Sequence, residues 1–121
     1  MRGFGGYNTR WALKVMDDIF PEKFDRRLRK HHLTIIMFGT NDSAIEEKTS
    51  KFQTSAYVPL EEYEKNMEII INRAKKCSKH VIVMAPPAMD EQGRLNYQVE
   101  MYGDKAFARL DRSNEELQKY G

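Results

Sequence analysis

The run Leu33-Thr34-Ile35-Ile36-Met37-Phe38-Gly39-Thr40-Asn41-Asp42 decides the architecture of this chain. Apolar and β-branched residues in succession, stopped by a glycine, predict a strand over residues 33–38. Asn41 then presents a side-chain amide at the carboxyl edge of a sheet, where α/β proteins build their sites. Read alone, Gly39-Thr40-Asn41-Asp42 is more simply a strand-to-loop turn, because Gly, Asn and Asp tolerate the backbone angles a turn needs.

Outward from this run, Val81-Ile82-Val83-Met84-Ala85 predicts a second strand over 81–85, closed by Pro86-Pro87. Its unbroken apolar character is that of a strand with helices on both faces. Between the strands, a helix starting near Pro59 places Leu60, Tyr63, Met67, Ile70, Ile71 and Ala74 on one side, with Lys75, Lys76 and Lys79 near its C-terminal end. Before the first strand, Asn8 or Thr9 caps a helix whose Trp11, Ala12, Val15, Met16 and Ile19 share a face until Pro21 stops it. Asp17 and Asp18 are neighbours on that helix and point about 100° apart, so they are read as solvent-exposed rather than as an acid and base pair. A last helix from about Asp104 carries Phe107, Leu110, Leu117 and Tyr120, and segments 43–58 and 86–103 read as long loops. This α-β-α-β-α order predicts an α/β fold with a parallel, three-layer sheet.

The Gly-rich start Arg2-Gly3-Phe4-Gly5-Gly6-Tyr7-Asn8-Thr9-Arg10-Trp11-Ala12-Leu13 sharpens the reading. Together with Gly39 to Asp42, Val58-Pro59-Leu60-Glu61-Glu62-Tyr63, Pro86-Pro87, Asp90-Glu91-Gln92-Gly93-Arg94 and Arg112-Ser113-Asn114-Glu115, it resembles the SGNH (GDSL) hydrolase family, in its isoamyl acetate-hydrolysing esterase branch. The likeness runs in order along nearly the whole chain. It implies a partial flavodoxin-like α/β/α domain over residues 1–121, truncated at both ends and lacking the first and last strands. The absent first strand would lie beside residues 33–38.

Four residues define that family: a Ser in a Gly-Asp-Ser motif, a Gly, an Asn, and a His in an Asp-x-x-His motif. Gly6 and Asn41 match the Gly and the Asn; the Ser and the His have no match. Gly-Asp-Ser does not occur here, and the positions three before His31, His32 and His80 hold Leu28, Arg29 and Cys77. The three histidines stand before the predicted strands, at the edge away from Asn41. A strand of five or six residues spans roughly 17 to 20 Å, whereas a catalytic base works at about 3 Å. Ser43 sits beside Asn41 and Asp42 without a base, and fits an Asx-turn or helix-cap residue.

What the resemblance implies chemically is ester hydrolysis through an acyl-enzyme, with a small acyl ester as substrate and neither cofactor nor metal. Gly6 would offer its backbone N–H and Asn41 its side-chain NH₂ to the oxyanion, while Thr40 and Asp42 brace the turn. Without the likeness, Gly6 reads as a loop glycine with positive φ. Tyr57, Tyr97, Met101 and Tyr102 could line an acyl pocket or pack the loops down, and packing is the simpler reading. With both catalytic ends outside its motifs, the chain reads as a fragment that is inactive alone. The alternative is a non-catalytic binding or assembly protein derived from the esterase fold.

Composition narrows the alternatives. Twenty basic and 18 acidic residues leave a net charge of +2, interspersed, with no electrostatic footprint for nucleic acid. The densest basic stretch, Arg26-Arg27-Leu28-Arg29-Lys30, lies beside Asp25 and reads as a solvated turn. Cys77 is the single cysteine, so no internal disulfide forms; this suits a reducing, cytoplasmic setting without fixing one. No apolar run approaches the 18 or so residues that span a membrane. The strand at 33–38 carries no charge, proline or bulge signal, which leaves its free edge open to self-association.

Overall fold

The computed structural model describes residues 4–21, 30–45, 56–102 and 110–121. In chain order the elements are α1 (Thr9–Lys14), α2 (Met16–Ile19), β1 (His31–Ile36), α3 (Leu60–Cys77), β2 (Ser78–Val83), α4 (Glu91–Tyr102) and α5 (Asn114–Gln118). Strands β1 and β2 pair in parallel, with Leu33 opposite His80 and Ile35 opposite Ile82. A parallel pair needs a crossover, and α3 supplies it.

Local chemistry sets these boundaries. Asn8 caps α1 by accepting from Trp11 N at 2.9 Å. The single predicted first helix is broken at Val15, whose backbone (φ −106°, ψ 8°) leaves the helical region before α2 resumes. Phe20, which precedes Pro21, leaves the helical region (φ −131°, ψ 79°), since a residue before proline is pushed out of the α region. Pro59 stands just ahead of α3 and its carbonyl accepts from Tyr63 N at 2.8 Å, so that helix starts where the sequence places it.

Other boundaries move. Both strands lie two or three residues earlier than predicted, because α3 passes directly into β2 at Ser78 (φ −128°, ψ 151°). Lys79 is therefore a strand residue rather than part of the helix end, and His80 lies inside β2 rather than before it. The predicted loop at 86–103 holds α4. Of the last predicted helix, residues 104–109 fall outside the described residues, as does residue 103 before it. Leu110 is not helical, and Ser113 starts the short α5 by accepting from Glu116 N. Arg26 to Arg29 of the basic stretch, and residues 46–55 of the first long loop, also lie outside the described residues.

The core forms between α1, α2 and α3 and one face of the sheet. Tyr63, Met67, Ile70, Ala74 and Cys77 recur on one stripe of α3 and meet Ala12, Met16, Phe20, Ile36, Val58 and Tyr120. Tyr63 and Tyr120 stack edge to face at 4.9 Å between ring centroids, and each hydroxyl is spent on a backbone carbonyl: Tyr63 Oη on Tyr120 O (2.8 Å), Tyr120 Oη on Val58 O (2.7 Å). The opposite sheet face differs from the prediction. Leu33, Ile35, Met37 and Ile82 are 45–56% exposed, so among the described residues helices cover one face and not both. No helix of the described residues is long and apolar enough to cross a membrane.

Candidate functional site

Gly39 lets the chain leave β1 in the direction it takes. Its φ is +120°, and a Cβ there would stand 3.0 Å from Pro86 Cγ and 3.2 Å from Tyr120 Cβ. Both the backbone angle and the close approach select glycine. The turn that follows is closed by Ser43 N donating to Gly39 O (2.8 Å) and Ser43 Oγ donating to Thr40 O (3.3 Å). Ser43 is buried in this turn, as its turn reading anticipates.

Asp42 is fully buried and ties the turn to α1. Its carboxylate accepts from Thr9 N, Thr9 Oγ1 and Gly39 N, and its own carbonyl accepts from Val58 N at 3.0 Å. Burial raises the Asp42 pKa above the ordinary carboxylate range, with the hydrogen bonds from Thr9 and Gly39 working against it. Behind it, Asn66 of α3 donates to Thr9 Oγ1 at 3.1 Å.

These ties bring together the two positions singled out by sequence. Asn41 Nδ2 donates to Tyr7 O at 3.0 Å, next to Gly6 in the Gly-rich turn. Gly6 has φ +79°, and nothing stands within 4 Å of where its Cβ would be. Its N–H makes no hydrogen bond among the described residues. Gly6 and Asn41 line one cleft of about 450 Å³, running along the unpaired edge of β1 and walled by Ala12, Val15, Met16 and Ile19.

On its other side Asn41 borders a smaller recess of about 240 Å³, shared with Thr40, Met89, Arg94 and Arg112. Arg112 Nη2 donates to Asn41 Oδ1 at 2.8 Å, and Asp111 pairs with both Arg94 and Arg112 at 2.7 Å. Burial is the largest influence on Asp111 and pulls its pKa up, but the Arg94 hydrogen bond and the two guanidinium charges together hold it below the ordinary range. Asn114 clasps the exit of β2, accepting from Met89 N and donating to Met89 O at 2.8 and 2.9 Å.

The histidines stand elsewhere. His31 opens β1 beside Phe20, and His32 and His80 face each other across the sheet with centroids 5.6 Å apart. Asn41 lies past the other end of β1. Tyr57, Tyr97 and Met101 do not line the cleft; Tyr97 is exposed beneath the Arg94 guanidinium, 5.6 Å from its ring centroid. The Tyr102 side chain is outside the described residues. Among those residues, no group of three or more His, Cys, Asp or Glu side chains is placed to hold a metal.

Sequence reasoning missed the Arg112–Asp111–Arg94 cluster and the partnership of Asp42 with Thr9. Arg112 stands 71 residues from Asn41, and no local pattern connects them.

The turn Gly39-Thr40-Asn41-Asp42 that follows β1, clamped against a Gly-rich turn at the sheet's carboxyl edge, fits a partial SGNH-type α/β hydrolase fold. The GDSL-like lipase/acylhydrolase family matches residues 3–120, and the chain belongs to it. A GDSL esterase/lipase of Arabidopsis thaliana is 42% identical over 117 residues, covering 95% of this chain and 46% of the relative. A second from the same plant is 38% identical over 99 residues, covering 80% and 40%. The isoamyl acetate-hydrolyzing esterase 1 homolog of Homo sapiens is 32% identical over 93 residues, covering 74% and 35%. The chain thus spans less than half the length of these curated relatives.

Proposed function

We propose that this chain provides the oxyanion-stabilising part of a carboxylic ester hydrolase. Gly6 N–H and Asn41 Nδ2 serve as donors to a carbonyl oxygen as it gains negative charge. The nucleophilic Ser and the Asp-x-x-His base belong, in this reading, to segments of the full-length protein outside these 121 residues, and the substrate is a small acyl ester. The observation that carries it is the Asn41 Nδ2 to Tyr7 O contact at 3.0 Å, which sets the amide beside Gly6 on one cleft. An Asn side chain has two N–H donors. One is used by Tyr7, and the second is available to a substrate oxygen. Preorganised donors of this kind stabilise an oxyanion without reorganising during the reaction.

The test has two parts. In the full-length protein, Asn41→Ala should lower kcat by roughly 10² to 10³ while changing KM less. The 121-residue polypeptide alone should not hydrolyse a short-chain aryl ester above the buffer rate. Unchanged kcat in Asn41→Ala removes the assignment. Turnover by the isolated chain would mean that it holds a nucleophile of its own, with Ser43 the next residue to mutate.

A further inference from the structure

Asn41 is gripped from both ends of its amide. Arg112 Nη2 donates to Oδ1 at 2.8 Å, while Nδ2 donates to Tyr7 O at 3.0 Å. The same guanidinium donates through Nε to Thr40 O (2.8 Å) and through Nη1 to Asp111 Oδ2 (2.7 Å), so its plane is fixed by three separate partners. The Arg112 side chain is only 12% exposed and that of Asp111 1%.

An amide can sit in either of two orientations, and only one turns its donors toward the cleft. A guanidinium has donors and no acceptor, so the atom facing Arg112 must be the amide oxygen. Flipping Asn41 would set its NH₂ against a cation and its Oδ1 against the Tyr7 carbonyl, trading two hydrogen bonds for two repulsions. We propose that Arg112 is a positioning residue for Asn41: it locks the amide with Nδ2 toward the cleft and, by its charge on Oδ1, strengthens Nδ2 as a donor. This rests on the oxyanion reading of Asn41. The competing role is a plain tether between residues 110–114 and the turn after β1, which would affect stability but not the quality of the donor.

A double-mutant cycle in the full-length esterase separates these roles. Arg112→Met should lower kcat by about 10- to 100-fold with KM little changed, the size of loss seen when the outer partner of a metal ligand is removed, and Arg112→Lys should recover part of the loss by keeping a donor-only cation near Oδ1. In an Asn41→Ala background, Arg112→Met should cost almost nothing more, because the group it acts through is gone. The Asn41 side-chain amide signals, followed by NMR in the same protein, should shift or double in Arg112→Met and stay single in Arg112→Lys. Unchanged kcat in Arg112→Met, or a full additional loss in the Asn41→Ala background, overturns the inference. If Arg112→Met does not fold, Arg112→Lys decides: unchanged amide signals and partial kcat support positioning, and an altered amide with full kcat refutes it. Unchanged kcat in Asn41→Ala sinks the oxyanion reading instead, and the amide signals still decide whether Arg112 orients Asn41.

Discussion

Asp42 holds Thr9 by two hydrogen bonds through one oxygen, accepting from its backbone N–H at 2.8 Å and from its hydroxyl at 2.5 Å. Its second oxygen accepts from Gly39 N at 3.3 Å. Thr9 opens α1, directly after the Gly-rich turn, and Gly39 stands just past β1. A single buried carboxylate therefore sets the distance between the turn carrying Gly6 and the loop carrying Asn41. Removing it in Asp42→Ala leaves two backbone N–H groups and a hydroxyl in a dry interior. We expect a loss of about 2 to 4 kcal/mol in the full-length protein, measured by denaturant unfolding. A loss below about 0.5 kcal/mol would show that the tie is dispensable.

Asp42 and Asp111 should respond to pH with opposite signs. The Asp42 pKa is raised by burial, so the folded state holds that proton more tightly than the unfolded chain. Its contribution is complete below the ordinary aspartate value, about 4, and is lost as pH rises through the raised folded value. Asp111 is lowered, despite burial, by Arg94 and Arg112. Its contribution is complete above about pH 4 and is lost as pH falls through the depressed folded value. Unfolding free energies from pH 3 to 8, compared with Asp42→Asn and Asp111→Asn, should therefore give difference curves sloping in opposite directions. Parallel curves would refute the assignment.

Two glycines with positive φ should separate stability from turnover. At Gly39 a methyl group meets Pro86 and Tyr120 backbone and side-chain atoms at 3.0 to 3.3 Å in addition to the unfavourable angle. Gly39→Ala should cost about 2 to 3 kcal/mol. At Gly6 the angle is unfavourable but the space is open, so Gly6→Ala should cost nearer 1 kcal/mol. Bulk at Gly6 faces the cleft, so its larger effect should fall on kcat. Equal melting-temperature losses for the two variants would contradict this division.

The sequence made the frame legible where local chemistry controls it. Asn8 capping a helix, Pro59 preceding another, and the stripe Tyr63, Met67, Ile70 and Ala74 are each decided within one or two turns of chain. Gly39 was readable as a strand terminator, although its contact with Tyr120 was not. What escaped reading depends on distant partners. The passage from Cys77 into Ser78 without a loop displaced β2, since nothing local marks where a helix gives way when the next strand is already paired. Arg112 enters the sequence reading only as part of a matching segment, and nothing local points it at Asn41, 71 residues away. The apolar strands suggested helices on both faces, because composition records that a residue is meant to be covered without recording by which segment.

The uncovered face gives the last prediction. Leu33, Ile35 and Met37 of the β1 region and Ile82 and Met84 of the β2 region are 45–56% exposed, and the cleft runs along the edge of β1 that β2 does not pair. An unpaired edge presents free N–H and C=O groups, and this one has no charge, proline or bulge between Leu33 and Phe38 to repel another strand. A two-stranded sheet is marginal by itself. The 121-residue polypeptide, purified alone, should therefore melt at low temperature with poor cooperativity and should dimerise or aggregate. The full-length protein should be a monodisperse domain. Replacing Ile35 by Lys puts a charge on the bare face and should suppress association of the short chain; if further segments of a longer protein cover that face, the same change should destabilise the longer form. Light scattering and thermal melting of both forms measure this directly. A monodisperse monomer with an ordinary cooperative transition from the short chain would show that its edge and face need no further cover.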